Sequence, residues 1–142
     1  MNRREAIKIA GLAAVAAAVS AEAKMPTESY NRVQEKPVDS ANLTKGEQKH
    51  TPLITLGDKD AKGYTLVEIT VGLNGIIHPS TQDHWIDFIT LYADDVLVGK
   101  VILEPEISRG ATAFRVKLDN VKTLKAQSGC NLHGIWTNTY TL

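Results

Sequence analysis

The sequence is poor in cysteine and in aromatic residues, and it has no excess charge of either sign. One cysteine among 142 residues excludes a disulfide within the chain and any site that needs several thiolates. Aromatic residues make up only 6%, which argues against a surface that stacks nucleic-acid bases. Lys plus Arg and Asp plus Glu number 16 each, so nothing in the charge favours nucleic acid or an anionic membrane as a partner. The length and the 43% of apolar residues are those of one ordinary globular domain.

Residues 1–23 have the pattern of an export signal. Arg3, Arg4 and Lys8 precede a short apolar stretch from Ile9 to Val19, and the segment ends in the A-x-A sequence of residues 21–23. The stretch is too short for a membrane-spanning helix of about 20 residues. The paired arginines favour the twin-arginine route. We therefore predict a protein that is periplasmic or otherwise exported; the alternative for residues 1–23 is an alanine-rich helix packed within the domain.

The single cysteine is unusual in an exported protein. It implies an intermolecular bridge, a reactive thiol, a metal ligand or a buried structural residue. Cys130 lies in the sequence SGCNLHGIWTN, where Gly129, Asn131 and Gly134 indicate a turn rather than the interior of a strand. A turn that carries Cys130 and His133, three residues apart, suits a metal better than a core.

The remainder of the chain divides into an arm and a domain. Residues 24–46 contain Pro26 and Pro37 and have no periodicity, so we predict a linker or extended arm. Residues 47–142 form the predicted domain. Short β-rich stretches with turn residues between them predict an all-β fold, a seven-stranded immunoglobulin-like antiparallel β-sandwich. The predicted strands are 51–56, 64–72, 84–92, 96–103, 112–118, 121–127 and 134–142.

All four histidines fall at strand ends or in loops. They are His50, His78, His84 and His133. A single loop histidine is usually a solvated side chain, but four from four at strand ends, with one beside the only cysteine, indicates a metal site at one end of a sandwich.

Four imidazoles and one thiolate limit the choice of metal. Zinc prefers four ligands, so one histidine would be surplus. A blue copper site would need an axial methionine, and the only methionines, Met1 and Met25, both precede the domain. Iron accepts five nitrogen and sulfur ligands and leaves a sixth position open.

Three motifs resemble the superoxide reductase family, the neelaredoxin and desulfoferrodoxin iron domain: KHTP (49–52), HPSTQDHWI (78–86) and CNLHG (130–134). The resemblance extends from His50 to the C-terminus. It implies an immunoglobulin-like sandwich with a mononuclear non-haem iron that reduces superoxide to hydrogen peroxide by one electron. The iron ligands that it implies are His50, His78, His84 and His133 in the equatorial plane and Cys130 on the axis.

The resemblance also implies partners and a catalytic residue. Members often have a glutamate at the position of Gln48, and Glu47 lies one residue too early. With no further cysteine for a rubredoxin-like site, the chain would be a one-iron type that needs an external electron donor, such as a rubredoxin-like protein. Members form dimers or tetramers. Lys49 would draw superoxide to the iron; otherwise it is a solvated loop lysine.

Two other functions fit the same residues. One is a non-catalytic metal-binding or sulfur-carrier module on the same fold, although the strand predicted after Cys130 argues against a swinging arm. The other is a structural zinc site made by three histidines and Cys130. Trp85 and Trp136 adjoin the motifs, and we interpret them first as core or rim residues and only second as a shield for iron.

Overall fold

The computed structural model describes residues 24–142, and these form a sandwich of two antiparallel sheets. One sheet has the strand order β1-β2-β5 and the other has the order β4-β3-β6-β7. The predicted seven-stranded immunoglobulin-like β-sandwich is therefore confirmed. The strands are β1 (Pro52–Lys59), β2 (Thr65–Val71), β3 (Ile86–Ala93), β4 (Val96–Ile102), β5 (Ala111–Val116), β6 (Thr123–Cys130) and β7 (Gly134–Thr141).

The core lies between the sheets and follows from the alternation of side chains along the strands. In β2, Val67, Ile69 and Val71 are buried, because successive side chains of a strand point to opposite faces. From the opposite sheet, Ile89 and Leu91 of β3 join the same apolar cluster. The first six residues of β3 are all buried, so this strand is covered on both faces, as its dense apolar sequence predicts.

A short helix, α1 (Lys45–His50), precedes β1. The sequence pattern did not predict this helix. The Thr44 hydroxyl accepts the backbone N–H of Glu47, and the Glu47 carboxylate accepts the backbone N–H of Thr44. This reciprocal capping box stabilises a helix of six residues that is too short to show an apolar period. The predicted boundary between residues 46 and 47 lies inside this helix.

The arm before α1 packs on the outer face of the four-stranded sheet. Tyr30 meets Trp85 edge to face, with ring centroids 5.2 Å apart. Arg32 forms an ion pair with Asp87, and its guanidinium lies over the ring of Phe88. These contacts explain why the outer face of β3 is covered.

Residues 1–23, to which the export signal was assigned, lie outside the described residues. Within residues 24–142, no helix is both long enough and apolar enough to cross a membrane.

Candidate metal centre

The five residues predicted as ligands come together at one end of the sandwich. His50 is the last residue of α1, just before β1, and His78 lies in the loop between β2 and β3. His84 stands two residues before β3, Cys130 is the last residue of β6, and His133 occupies the turn before β7. Gly134 follows with φ 83°, a left-handed conformation that glycine adopts readily, and it returns the chain into β7.

The four imidazoles form a closed ring. Neighbouring ring centroids are 4.8 Å apart for His50–His78, 4.7 Å for His78–His84, and 4.8 Å for both His84–His133 and His133–His50. The diagonal between His50 and His84 is longer, at 6.2 Å. Near-equal sides with a longer diagonal describe four rings at the corners of a square.

The donor atoms face the inside of this square. One donor atom each from His50, His78, His84 and Cys130 all lie within 4.8 Å of one another. His133 is not part of that tight group. Its Nδ1 is nevertheless 3.2 Å from Nε2 of both His50 and His84, and 3.5 Å from the Cys130 sulfur. We therefore count His133 with the other four.

These contacts are too many for hydrogen bonds alone. An imidazole nitrogen carries at most one hydrogen, so Nδ1 of His133 cannot donate to three neighbours at once. Two nitrogen ligands bound at right angles, each about 2.1 Å from one ion, would lie about 3.0 Å apart. The observed separations of 3.2 Å are close to that spacing.

Backbone carbonyls fix the tautomers of two histidines. Nδ1 of His50 lies 2.7 Å from the carbonyl oxygen of Gly46, and Nδ1 of His78 lies 2.8 Å from that of Pro79. A carbonyl only accepts, so each Nδ1 carries the hydrogen and each Nε2 keeps a lone pair. Nε2 of His78 is buried and has no hydrogen-bond partner. A metal ion is the partner that would satisfy it, so these residues fit a metal.

Burial favours the neutral form of three of the imidazoles. It lowers the pKa of His50 to about 4 and that of His78 to about 3, and it also lowers the pKa of His84. Burial raises the pKa of the Cys130 thiol, while the backbone N–H groups of Leu132 and His133 lower it in part. These three histidines can therefore bind a cation at neutral pH without losing a proton, whereas Cys130 needs a neighbouring positive charge to become a thiolate.

The residues of the cluster differ in their exposure to solvent. His50, His78 and Cys130 are buried, His84 is half-buried and His133 is exposed. Lys49 is half-buried, and its positive charge contributes to the lowered pKa values of His50, His78 and His84. A small anion that approaches the cluster would therefore be attracted by this charge.

Glu47 and Gln48, the two residues compared with the family's glutamate position, are both engaged in other hydrogen bonds. Glu47 accepts the backbone N–H groups of Val38 and Thr44. Gln48 donates to the carbonyl of Leu43, and its side-chain oxygen accepts from the amide of Asn74. Neither side chain contacts a histidine or the cysteine of the cluster.

The two tryptophans have different positions. Trp85 is a core residue, 1% exposed, and its indole donates to the carbonyl of Leu103. Trp136 lies against the cluster: it stacks on His50 and donates its indole N–H to the carbonyl of His133, 3.0 Å away. The sequence placed Trp136 near the motifs but gave no sign of this double contact.

Comparison with known proteins gives a consistent family. The Desulfoferrodoxin family model matches residues 42–139, more than half of the chain. A desulfoferrodoxin from Nitratidesulfovibrio vulgaris is 40% identical over 90 residues, which cover 63% of this chain and 61% of that protein. A superoxide reductase from Thermococcus kodakarensis is 35% identical over 108 residues, which cover 69% of this chain and 90% of that protein. The solved structure of a one-iron superoxide reductase from Giardia intestinalis superimposes with a TM-score of 0.57 at 29% identity, covering 67% of this chain and 99% of that one.

Proposed function

Because the chain belongs to the desulfoferrodoxin family, we propose that it is a superoxide reductase, an oxidoreductase that reduces superoxide to hydrogen peroxide at a mononuclear non-haem iron. The observation that carries this proposal is the square of four imidazoles with the Cys130 sulfur beside it. Two of the relatives named above are superoxide reductases, and the solved structure of one of them superimposes on this chain.

Five side chains would hold the iron. They are His50, His78, His84, His133 and Cys130. When bound, iron supplies reversible one-electron chemistry and a position that no side chain of this cluster fills. The tautomers of His50 and His78, fixed by the carbonyls of Gly46 and Pro79, direct their lone pairs to the ion. The N–H groups of Leu132 and His133 stabilise the thiolate of Cys130.

Lys49 is the residue that we propose for catalysis. The reaction consumes one superoxide, one electron and two protons for each hydrogen peroxide, so the site must attract an anion and deliver protons. The ammonium of Lys49 lies close enough to lower the pKa of three histidines, and it is partly open to water. It can therefore attract superoxide and orient the water that supplies protons.

The stoichiometry tests the reaction. A superoxide reductase supplied with an electron donor forms one hydrogen peroxide per superoxide and no oxygen. A dismutase forms one hydrogen peroxide and one oxygen from two superoxides. We expect the first result for the iron-loaded protein, and oxygen release at the dismutase ratio would reject the proposal.

The second function considered, a carrier with a mobile cysteine, has no support in the described residues. Cys130 is 0% exposed and is followed by the full strand β7, so it cannot swing out to a partner. A structural zinc site would leave one imidazole of the square without a role. The metal content of protein purified from cells grown with both iron and zinc distinguishes the two sites. Bound iron supports the reductase, and bound zinc supports the structural site.

We also propose that the protein is exported through residues 1–23 by the twin-arginine route and acts in the periplasm. The proposal rests on the sequence pattern of that segment alone. Cell fractionation of the wild type and of a variant with Arg3 and Arg4 both changed to Lys tests this route. The route predicts that the wild type is found in the periplasm and that the variant stays in the cytoplasm.

We propose an external electron donor of the rubredoxin type and a dimeric or tetrameric assembly. The single cysteine leaves no second thiolate site for iron in this chain, so electrons must come from another molecule. Reduction of the iron-loaded protein by a purified rubredoxin tests the electron donor. The mass of the protein in solution tests the assembly.

A further inference from the structure

Two polar residues flank Cys130 and are as deeply buried as the cysteine itself. Ser128 and Asn131 are both 0% exposed. A buried polar group costs free energy unless it is hydrogen-bonded, so the partners of these side chains indicate what they do. Both side chains bond to backbone atoms of a segment that carries a histidine of the cluster, and the side-chain nitrogen of Asn131 also lies 3.5 Å from the sulfur of Met25.

Ser128 connects β6 to the end of α1. Its hydroxyl donates to the backbone carbonyl oxygen of His50 at 2.8 Å. The last carbonyls of a helix have no partner within the helix, and His50 is the final residue of α1. Ser128 supplies that missing partner, and it does so two residues before Cys130. The bond therefore sets the distance between the His50 backbone and the strand that carries the sulfur.

Asn131 holds the backbone on both sides of His84. Its side-chain nitrogen donates to the carbonyl oxygen of Asp83 at 2.8 Å, and its side-chain oxygen accepts the backbone N–H of Trp85 at 2.9 Å. These are the two peptide groups that flank the Cα of His84. The backbone N–H of Asn131 also donates to the carbonyl of Trp85 at 3.2 Å. Asn131 follows Cys130 directly, so one residue fixes His84 relative to the sulfur.

We propose that Ser128 and Asn131 are positioning residues that align the His50 and His84 segments with Cys130, so that the donor atoms of the three chain segments converge on one ion. The proposal rests on the proposed function, in which His50, His84 and Cys130 bind the metal. His50 and His84 occupy the long diagonal of the square, and each lies 3.2 Å from the same nitrogen of His133. Holding both ends of that diagonal to one strand and its turn keeps the square closed.

The test compares two variants with the wild-type chain. Ser128→Ala removes one oxygen atom and the bond to His50. Asn131→Asp keeps an acceptor for the N–H of Trp85 but removes the donor to the carbonyl of Asp83. Co²⁺ is the probe, because its complexes with thiolate and imidazole absorb visible light. We expect each variant to bind Co²⁺ about tenfold or more weakly than the wild type and to shift its thiolate absorption band.

Asp94→Ala is the matched control for loss of stability alone. Asp94 lies in the turn after β3 and accepts hydrogen bonds from the backbone N–H groups of Lys122 and Thr123. The eight residues of β3 lie between Asp94 and the segment that carries His84. This variant should lower the melting temperature and leave the Co²⁺ affinity and spectrum unchanged. Wild-type affinity and spectrum in both Ser128→Ala and Asn131→Asp would overturn the proposal, whatever their melting temperatures.

The outcomes separate this inference from the proposed function. If Asn131→Asp does not fold, Ser128→Ala decides alone, because it opens little space and keeps the strand. A wild-type protein that binds Co²⁺ but, loaded with iron, does not reduce superoxide would reject the function while the comparison of variants still stands. A wild-type protein that binds neither Co²⁺ nor iron would reject both.

Discussion

The imidazole of His50 lies nearly parallel to the indole of Trp136, with ring centroids 5.5 Å apart and 21° between the planes. The same indole donates its N–H to the carbonyl of His133. One aromatic side chain thus contacts two histidines of the cluster that come from opposite ends of the domain sequence. Trp136 covers the ring of His50 and fixes the backbone of His133.

The position of Trp136 predicts a fluorescence response to metal. In the wild type, Co²⁺ should quench the tryptophan emission, because Trp136 stacks on a proposed ligand. In Trp136→Phe, which retains an aromatic ring but not the N–H donor, only Trp85 emits, and the fraction quenched should fall by about half or more. Titration with Co²⁺ measures it. Equal fractional quenching in the two proteins would mean that Trp136 is not beside the bound metal.

We expect replacement of His78 to change how strongly metal stabilises the protein, but to change the stability of the metal-free protein little. Its Nε2 is buried without a partner, which costs about 1–3 kcal/mol. Replacement by an apolar residue removes that cost, so metal-free His78→Leu should unfold within about 1 kcal/mol of the wild type. Metal at about 100 times its Kd should stabilise the wild type by about 2.7 kcal/mol, and the variant by little or nothing.

Urea unfolding with and without Zn²⁺ measures both quantities. The same stabilisation by Zn²⁺ in His78→Leu and in the wild type would show that His78 is not a ligand.

The ion pair between Arg32 and Asp87 predicts that the arm contributes to stability. Nη1 of Arg32 lies 3.1 Å from Oδ1 of Asp87, a second guanidinium contact reaches Oδ2, and Asp87 is only 7% exposed. Arg32→Ala would leave a buried carboxylate unpaired. Because the Arg32 side chain is 42% exposed, we discount the cost to about 1–3 kcal/mol.

Lys24→Ala provides the control for Arg32→Ala. Lys24 pairs with Glu104, but both side chains are exposed, so the loss should be about 0–1 kcal/mol. Denaturation in urea compares the two variants. A loss for Arg32→Ala no larger than that for Lys24→Ala would contradict a stabilising role of the arm.

Asp94 predicts a dependence of stability on pH. Hydrogen bonds from the backbone N–H groups of Lys122 and Thr123 lower the pKa of its carboxyl below 3.8. The ionised form thus favours the folded state, and this contribution is present above about pH 4 and lost as the pH falls through the lower folded pKa. Asn also tolerates the φ of 44° at this position, so Asp94→Asn removes the charge with little backbone strain.

The unfolding free energy of the wild type should therefore exceed that of Asp94→Asn at pH 6, and the gap should close below about pH 4. Denaturation curves at several pH values check this. A gap that is constant from pH 7 to pH 3 would contradict the stabilising role of the carboxylate.

The strands could be predicted from the sequence because their signal is local. Alternating apolar residues in β2 and turn residues between strands indicate a half-buried sheet without knowledge of its partners. Helix α1 could not be predicted in this way, since six residues are less than two turns. The packing of the arm depends on the pair of Arg32 and Asp87, which lie 55 positions apart, and no period relates them.

The candidate site could also be predicted only in part. The residue types at the strand ends predicted which five side chains meet, because imidazole and thiolate are uncommon and chemically distinctive. The roles proposed for Ser128 and Asn131 were not apparent, because the hydrogen bonds that link them to the His50 and His84 segments end on backbone atoms, which every residue supplies. The hydrogen bond from Gln48 to the carbonyl of Leu43 was hidden for the same reason, and its bond with the side chain of Asn74 joins residues 26 positions apart that no sequence period relates.

The central claim is that one iron binds four imidazoles and one thiolate of this chain. X-ray absorption at the iron edge of the loaded protein tests it most directly, with Cys130→Ser as the comparison. We expect one sulfur and four imidazole nitrogens around iron in the wild type, and loss of the sulfur contribution in the variant. Iron without a sulfur neighbour in the wild type, or with the same sulfur contribution in Cys130→Ser, would contradict the account.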